Sequence, residues 1–205
     1  MILAIDMGNS NIVVGGIDNK QIYFLERITT HTTRTELEYC MYIKGILDIH
    51  GVKANDIEGA ILSSVVPPLN ITIRNAVKKI LGIECMLVES GMKTGINILM
   101  DNPKSVGSDM IVDAVAAMEE YPLPLAIIDM GTATTISVVD IHGNYIGGII
   151  HPGLRISLDT LSSKTAQLPQ VNLDMPKKVI AKNTVDSMRS GILFGHAGMM
   201  DGIIS

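Results

Sequence analysis

The chain has 205 residues, of which 47% are hydrophobic and 3% aromatic, and its formal net charge at pH 7 is -5. A net negative charge without a Lys/Arg cluster, combined with few aromatic rings for base stacking, argues against nucleic acid as a partner. The N-terminus lacks a basic segment and no apolar run approaches the ~20 residues of a membrane span, so we expect a cytoplasmic protein with no membrane partner. The two cysteines, Cys40 and Cys85, are widely separated and are expected to be reduced thiols in the core.

The first predicted element is a strand, turn, strand segment at residues 4–16, AIDMGNSNIVVGG. An apolar run stops at Asp6, turns through Gly8 and Asn9, and resumes with valines. Taken alone, this pattern is equally typical of an ordinary hairpin, because Asp, Gly and Asn are the commonest turn residues.

Helices and strands alternate after this segment, which is called the first copy below because a second segment repeats its design. Thr35 and Glu38 form a capping box that predicts a helix ending at Gly51. A β-type run over residues 59–69 follows and is ended by Pro67 and Pro68. A helix is then predicted over residues 70–82 and a second strand over residues 84–90. This alternation predicts an α/β domain.

A further helix is predicted over about residues 105–120, after a loop-like segment. Its apolar residues recur at helical spacing from Ile111 to Met118, and Asp109 lies off that stripe in the first turn. Taken alone, Asp109 is explained by the helix dipole, which favours a carboxylate near the start of a helix.

Residues 125–139, LAIIDMGTATTISVV, repeat the design of the first copy. An apolar run leads to Asp129, Gly131 and a hydroxyl at Thr132, and a β-branched run follows. Each copy is followed by a turn that carries a glycine. Two copies in register indicate an internal duplication, or a convergent pair with one ligand.

We expect an N-terminal lobe over residues 1–120 and a C-terminal lobe over residues 121–205. The second lobe continues with a turn that contains His151, interpreted as an exposed turn residue, and a short helix through Leu161. A last helical segment is still running at Ser205, so the second lobe is expected to be truncated at its C-terminus.

Both copies have the features of a phosphate-binding turn. Gly8 and Gly131 allow a close approach to an anion, Asn9 and Thr132 add donors, and the aspartate of each copy can hold a cation that bridges phosphates. The pair suggests nucleotide binding between two lobes. Neither a GxxxxGK[ST] loop nor a GxGxxG fingerprint after a strand occurs in the sequence.

Several segments, in this order, resemble the motifs of the type III pantothenate kinases: DMGNSNIVVG, SSVVPPL, TGINI, DNPKSVGSDMIVDAVAA, IDMGTATT, GGIIHPG and KNTVDSMRSGILFGHAGMMDGII. The resemblance covers nearly the whole chain. It implies an α/β fold with two duplicated ribonuclease-H-like lobes, as in the acetate-kinase/Hsp70/actin-like superfamily. It also implies transfer of the ATP γ-phosphoryl group to pantothenate, the first step toward coenzyme A.

The resemblance also implies roles for individual residues. Asp109 is implied as the base that accepts the hydroxyl proton, Asp6 as the residue facing the Mg²⁺ nucleotide, and Asp129 as the ligand of a monovalent cation, K⁺ or NH₄⁺. The implied ATP contacts are Asp6, Met7, Gly8, Asn9, Ser10, Asn11, Ile12, Val13, Gly131, Thr132 and Ala133. The implied pantothenate contacts are Met100, Gly107, Ser108, Asp109, Met110 and Thr184, the last across the interface of a homodimer.

Two residues depart from the family pattern. Met100 stands where an aromatic residue is usual, and Met110 replaces the arginine of a GxDR motif. The second change removes five donors and a charge that could pair with the substrate carboxylate.

The alternatives to a kinase are a catalytically degenerate, nucleotide-binding regulatory protein, similar to accessory factors for transcription, and a phosphatase-like member that uses water as acceptor. The kinase is favoured because all the residues expected to carry the reaction are present, namely Asp6, Asp109, Asp129, Thr132 and Thr184.

Overall fold

The structure is a computed structural model that describes residues 1–19, 21–89 and 91–205. Lys20, in the turn predicted after the first copy, and Ser90, the last residue of the strand predicted over 84–90, lie outside the described residues. The chain divides into two compact units. The first comprises Met1–Ile96 and Asp101–Ala116, and the second comprises Asn97–Met100 and Ala117–Ser205.

The first unit contains a five-stranded sheet in the order β3-β2-β1-β4-β5. Its strands are β1 (Ile2–Met7), β2 (Asn11–Ile17), β3 (Ile22–Thr29), β4 (Gly59–Ser64) and β5 (Cys85–Leu87). β1 pairs antiparallel with β2 and parallel with β4, so Asp6 lies between Val13 and Ser63. Because side chains alternate along a strand, Leu3 and Met7 are buried whereas Asp6 is exposed.

Two helices of the first unit, α1 (Glu36–Ile49) and α2 (Pro67–Leu81), contribute to the hydrophobic core together with the sheet. The predicted capping box of α1 is confirmed, because Thr35 N donates to Glu38 Oε2 at 2.7 Å and Glu38 N donates to Thr35 Oγ1 at 3.4 Å. α2 begins earlier than predicted, since Pro67 and Pro68 start the helix rather than only end the strand. The fixed φ and missing N–H of proline suit the first turn of a helix.

Both cysteines are buried and free, as predicted. Burial raises the pKa of the Cys85 thiol to about 11, so this thiol stays protonated at neutral pH. Among the helices of the described residues, none combines the length and the apolar character needed to cross a membrane.

The helix α3 (Ser108–Glu120) begins later than predicted, because Pro103–Ser105 form a separate short 3₁₀ helix. Its residues through Ala116 belong to the first unit and the following ones to the second. Asp109 lies in the first turn of α3, as the sequence predicted.

The second unit contains a four-stranded sheet in the order β6-β9-β8-β7. Its strands are β6 (Asn97–Ile98), β7 (Leu125–Met130), β8 (Ala133–Val139) and β9 (Asn144–Pro152), and its further helices are α4 (Leu154–Lys164) and α5 (Thr184–Ile204). β6 was predicted as loop, and its pairing with Asn144 and Tyr145 is too short to give a periodic pattern. The predicted helix through Leu161 continues to Lys164.

Candidate active site

The first turn, residues 8–10, connects β1 to β2 and is held by a backbone hydrogen bond to Asn11 and by two hydrogen bonds from Thr30. Gly8 N donates to Asn11 O at 2.9 Å, and Thr30 binds the turn through Oγ1 to Gly8 O at 2.7 Å and through its N to Ser10 O at 3.0 Å. A Cβ at Gly8 would lie 3.3 Å from Asn11 O, so glycine closes this turn without displacing the carbonyl. The sequence gives no sign that Thr30 binds this turn, because Thr30 follows β3 and lies 22 positions from Gly8.

The residues predicted to contact ATP around the first turn differ in exposure. Asp6, Asn9 and Ser10 are exposed, whereas the side chains of Met7 and Ile12 are in the core at 0% and 1% exposure. Met7 and Ile12 can therefore contact a nucleotide only through their main chains.

Asp6 also lines a pocket of ≈ 270 Å³ within the first unit. Apart from Asp6 and Ser63, the pocket is lined by glycine and apolar residues, among them Val13, Val88 and Val112. The carboxylate therefore lies beside the first turn at the edge of an apolar surface.

The second turn, residues 131–132, connects β7 to β8 in the same way. Gly131 N donates to Ala133 O at 3.0 Å, and Gly153 N donates to Thr132 O at 3.1 Å. A Cβ at Gly131 would lie 3.5 Å from Asp129 Oδ2, which locates the Asp129 carboxylate next to this turn. Gly131, Thr132 and Asp129 are exposed, and Ala133 is half-buried.

Two histidines lie beside the strand that follows the second turn. The buried Thr134 makes a 2.8 Å hydrogen bond from Oγ1 to Nε2 of His196, and the ring of His151 meets that of His196 edge-on at 5.0 Å. Burial, with a smaller effect of His151, lowers the pKa of His196, so the ring is neutral at pH 7. The interpretation of His151 as an exposed turn residue is wrong, because it is half-buried in β9 and opposite Thr134.

The Asp109 carboxylate is half-buried and is fixed by its own helix. Asp109 Oδ1 accepts a hydrogen bond from Met110 N at 2.8 Å. Gly107 and Ser108 precede it and line a pocket of ≈ 360 Å³ together with polar residues that include Ser64, Asn70 and Lys104. This pocket has polar residues in its wall and includes Ser108, the residue before Asp109, so it is a candidate substrate site within the first unit.

The residues predicted to contact pantothenate are divided between the units. Gly107, Ser108, Asp109 and Met110 belong to the first unit, whereas Met100 and Thr184 belong to the second. Met100 is half-buried, and a Cβ at Gly147 would lie 4.0 Å from its sulfur. Thr184 is the exposed first residue of α5, after Asn183, whose side chain caps the helix.

Solved structures of other proteins share this architecture. The chain is similar to a Campylobacter jejuni protein assigned to the Baf family of transcriptional activators, with a TM-score of 0.55, 17% identity and coverage of 98% of this chain and 78% of that chain. A weaker likeness, to an N-acetylglucosamine kinase from Porphyromonas gingivalis, has a TM-score of 0.47 and 14% identity, and covers 98% of this chain and 74% of that chain. The two sheets, each with a strand, turn, strand segment, and the likeness to the Campylobacter jejuni structure define an α/β protein of the fold class that the sequence predicted.

The sequence comparisons narrow this class to one family. The family model of the type III pantothenate kinases matches residues 2–205. A type III pantothenate kinase of Halalkalibacterium halodurans is 41% identical over 204 residues, which cover 100% of this chain and 80% of that protein. The chain therefore belongs to the type III pantothenate kinase family, as its motifs predicted.

Proposed function

We propose that this chain transfers the γ-phosphoryl group of ATP to the primary hydroxyl of pantothenate in the cytoplasm. The product is 4'-phosphopantothenate, and the reaction is the first step of coenzyme A biosynthesis. The observation that carries the proposal is the family match over residues 2–205, supported by 41% identity to a curated type III pantothenate kinase.

Phosphoryl transfer depends on alignment and charge stabilisation more than on covalent help from the protein. We assign ATP binding to Asp6 through Val13 and to Gly131, Thr132 and Ala133. Because Gly8 and Gly131 use their amide hydrogens inside the turns, they contribute close approach of the backbone rather than donors. Exposed Asn9 and Thr132 add polar side chains next to them.

The carboxylates of the two copies fit the metal ions of this reaction. Mg²⁺ is commonly held by one or two carboxylates together with substrate phosphates, and Asp6 is an exposed carboxylate two residues before Gly8. Bound Mg²⁺ would neutralise charge on the phosphates. We assign a monovalent cation, K⁺ or NH₄⁺, to Asp129, because its carboxylate lies beside the second turn and oxygen ligands suit such cations.

Asp109 acts as the base in this proposal. An ionised aspartate can accept the proton of the attacking hydroxyl as the new O–P bond forms. The hydrogen bond from Met110 N keeps Oδ1 in one orientation, which supports a role that needs fixed geometry.

The pantothenate contacts assigned with Asp109 are Met100, Gly107, Ser108, Met110 and Thr184. Thr184 acts across the interface of a homodimer, so that each site is completed by the partner subunit. Thr184 is exposed at the start of α5, which supports this assignment.

A coupled assay of ADP release, run with and without pantothenate, tests the proposed function. We expect ADP release that depends on pantothenate and equals the amount of 4'-phosphopantothenate found by mass spectrometry. ATP binding without turnover would instead support the regulatory alternative. ADP release that is unaffected by pantothenate would indicate water as the acceptor and contradict the proposal.

A further inference from the structure

The hydroxyl of Ser108 joins the first residue of α3 to the end of β4. Ser108 Oγ accepts a hydrogen bond from Ser64 N at 2.9 Å, donates one to Ser64 O at 2.9 Å, and accepts one from Ser63 Oγ at 3.3 Å. A serine hydroxyl has one donor hydrogen and two acceptor lone pairs. All of them are used inside the protein, so this hydroxyl has no hydrogen bond left for a substrate.

The same end of β4 is bonded to the strand that leads into the first turn. Val65 N donates to Met7 O at 3.0 Å, and Ser63 is the parallel register partner of Asp6. Ser108 is therefore tied to residues that directly adjoin Asp6 and Met7. Through this link, the start of α3 has a fixed place relative to the first turn.

Gly107 leaves room for the Asp109 carboxylate. A Cβ at Gly107 would lie 2.3 Å from Asp109 Oδ1 and 3.7 Å from Val65 Cγ1. The first distance is too short for non-bonded atoms, so any side chain at position 107 would displace the carboxylate from its hydrogen bond with Met110 N.

From these contacts we infer that Ser108 and Gly107 are positioning residues for Asp109: the Ser108 hydroxyl fixes the start of α3, and the absence of a side chain at Gly107 admits the carboxylate. The inference rests on the proposed function, in which Asp109 accepts the hydroxyl proton. It limits the pantothenate contact assigned to Ser108 to its main chain, because the side chain orients the base.

The test compares Ser108→Ala with Ser108→Thr, which keeps a hydroxyl, and with Ser105→Ala as a matched control. Ser105 lies in the same segment, is exposed, and donates from Oγ to Asn102 O at 2.7 Å. Turnover and the KM values for pantothenate and ATP are measured and normalised to the folded fraction from circular dichroism.

We expect Ser108→Ala to lower kcat by about 10- to 100-fold, because misplacement by ~1 Å can cost ~10²-fold in rate. Both KM values should stay within about twofold, since the hydroxyl that is removed makes no substrate contact and the main chain of Ser108 is unchanged. Ser108→Thr should recover most of the turnover, and Ser105→Ala should match the wild type. Gly107→Ala should lower kcat in the same way, because it displaces the carboxylate.

A higher KM for pantothenate with unchanged kcat in Ser108→Ala would overturn the inference, because it would mean that the hydroxyl binds substrate. Wild-type kinetics in both Ser108→Ala and Gly107→Ala would also overturn it. If Ser108→Ala does not fold, Gly107→Ala decides by the same criterion. A wild type without pantothenate-dependent ADP release would reject the proposed function and the inference together, whereas an active wild type confines any failure to the inference.

Discussion

Replacing Gly153 with alanine tests whether the backbone of the second turn has to stay where it is for ATP to bind. Gly153 immediately precedes α4, and its backbone angles, φ -63° and ψ 163°, are accessible to alanine. A Cβ there would lie 2.3 Å from Gly131 O and 2.5 Å from Thr132 O. The added methyl group is therefore destabilising for a steric reason, because it overlaps the carbonyl oxygens of the second turn.

The size of the effect follows from these distances. Because a Cβ atom rarely comes within 3.0 Å of another heavy atom, either the Gly131 carbonyl or the start of α4 has to move by about 0.7 Å. Overpacking of this kind costs about 1–3 kcal/mol in the free energy of unfolding. A displacement of this size in a binding turn should lower kcat/KM for ATP by about 10- to 100-fold, mainly through a higher KM.

The KM for ATP is measured by coupled ADP release, and the free energy of unfolding by urea titration. Gly191→Ala is the matched control, because position 191 is exposed on α5 and a Cβ there meets nothing within 4 Å. In a helix, the control change should stabilise by up to ~1 kcal/mol and leave the KM unchanged. Gly153→Ala with wild-type KM and stability would refute the reasoning.

Three further changes give separable outcomes. Asp129→Asn should abolish the stimulation of turnover by K⁺ over Na⁺, and stimulation that persists would contradict the assigned cation ligand. Burial lowers the pKa of His196 below its ordinary value of 6.5, so the unfolded chain binds this proton more readily and stability falls as the pH drops below 6.5. His196→Gln can still bind Thr134 Oγ1, and it should make the loss of unfolding free energy with falling pH smaller than in the wild type. The same loss in both proteins would contradict a lowered pKa of His196. Met110→Arg should lower the KM for pantothenate through charge-assisted bonds to its carboxylate, and calorimetry that finds no tighter binding would reject the assignment at this position.

The elements that could be predicted from sequence are those encoded by neighbouring residues. The turns at Gly8 and Gly131 follow from an Asp–Met–Gly run between apolar strands, and α1 begins at its capping box. The first residue of α2 was predicted less well, because Pro67 and Pro68 are compatible both with the end of a strand and with the first turn of a helix.

The contacts that could not be predicted join residues far apart in the chain. Ser64 and Ser108 are 44 positions apart, and Thr134 and His196 are 62 apart. A serine or histidine in an apolar helix pattern carries no local information about its partner, since the partner is chosen by how strands and helices pack. The motifs therefore pointed to Asp109, but the hydrogen bonds that hold α3 beside β4 required the fold.

The turnover of Asp109→Asn at saturating ATP and pantothenate tests most directly whether Asp109 accepts the hydroxyl proton. Asparagine keeps the size of the side chain and an oxygen for the hydrogen bond from Met110 N. We predict that kcat falls by the ~10²- to 10⁴-fold typical of a lost general base, while ATP affinity measured by calorimetry stays within about twofold of the wild type. An unchanged kcat would contradict the account and would leave Asp109 as an acid that favours the start of α3.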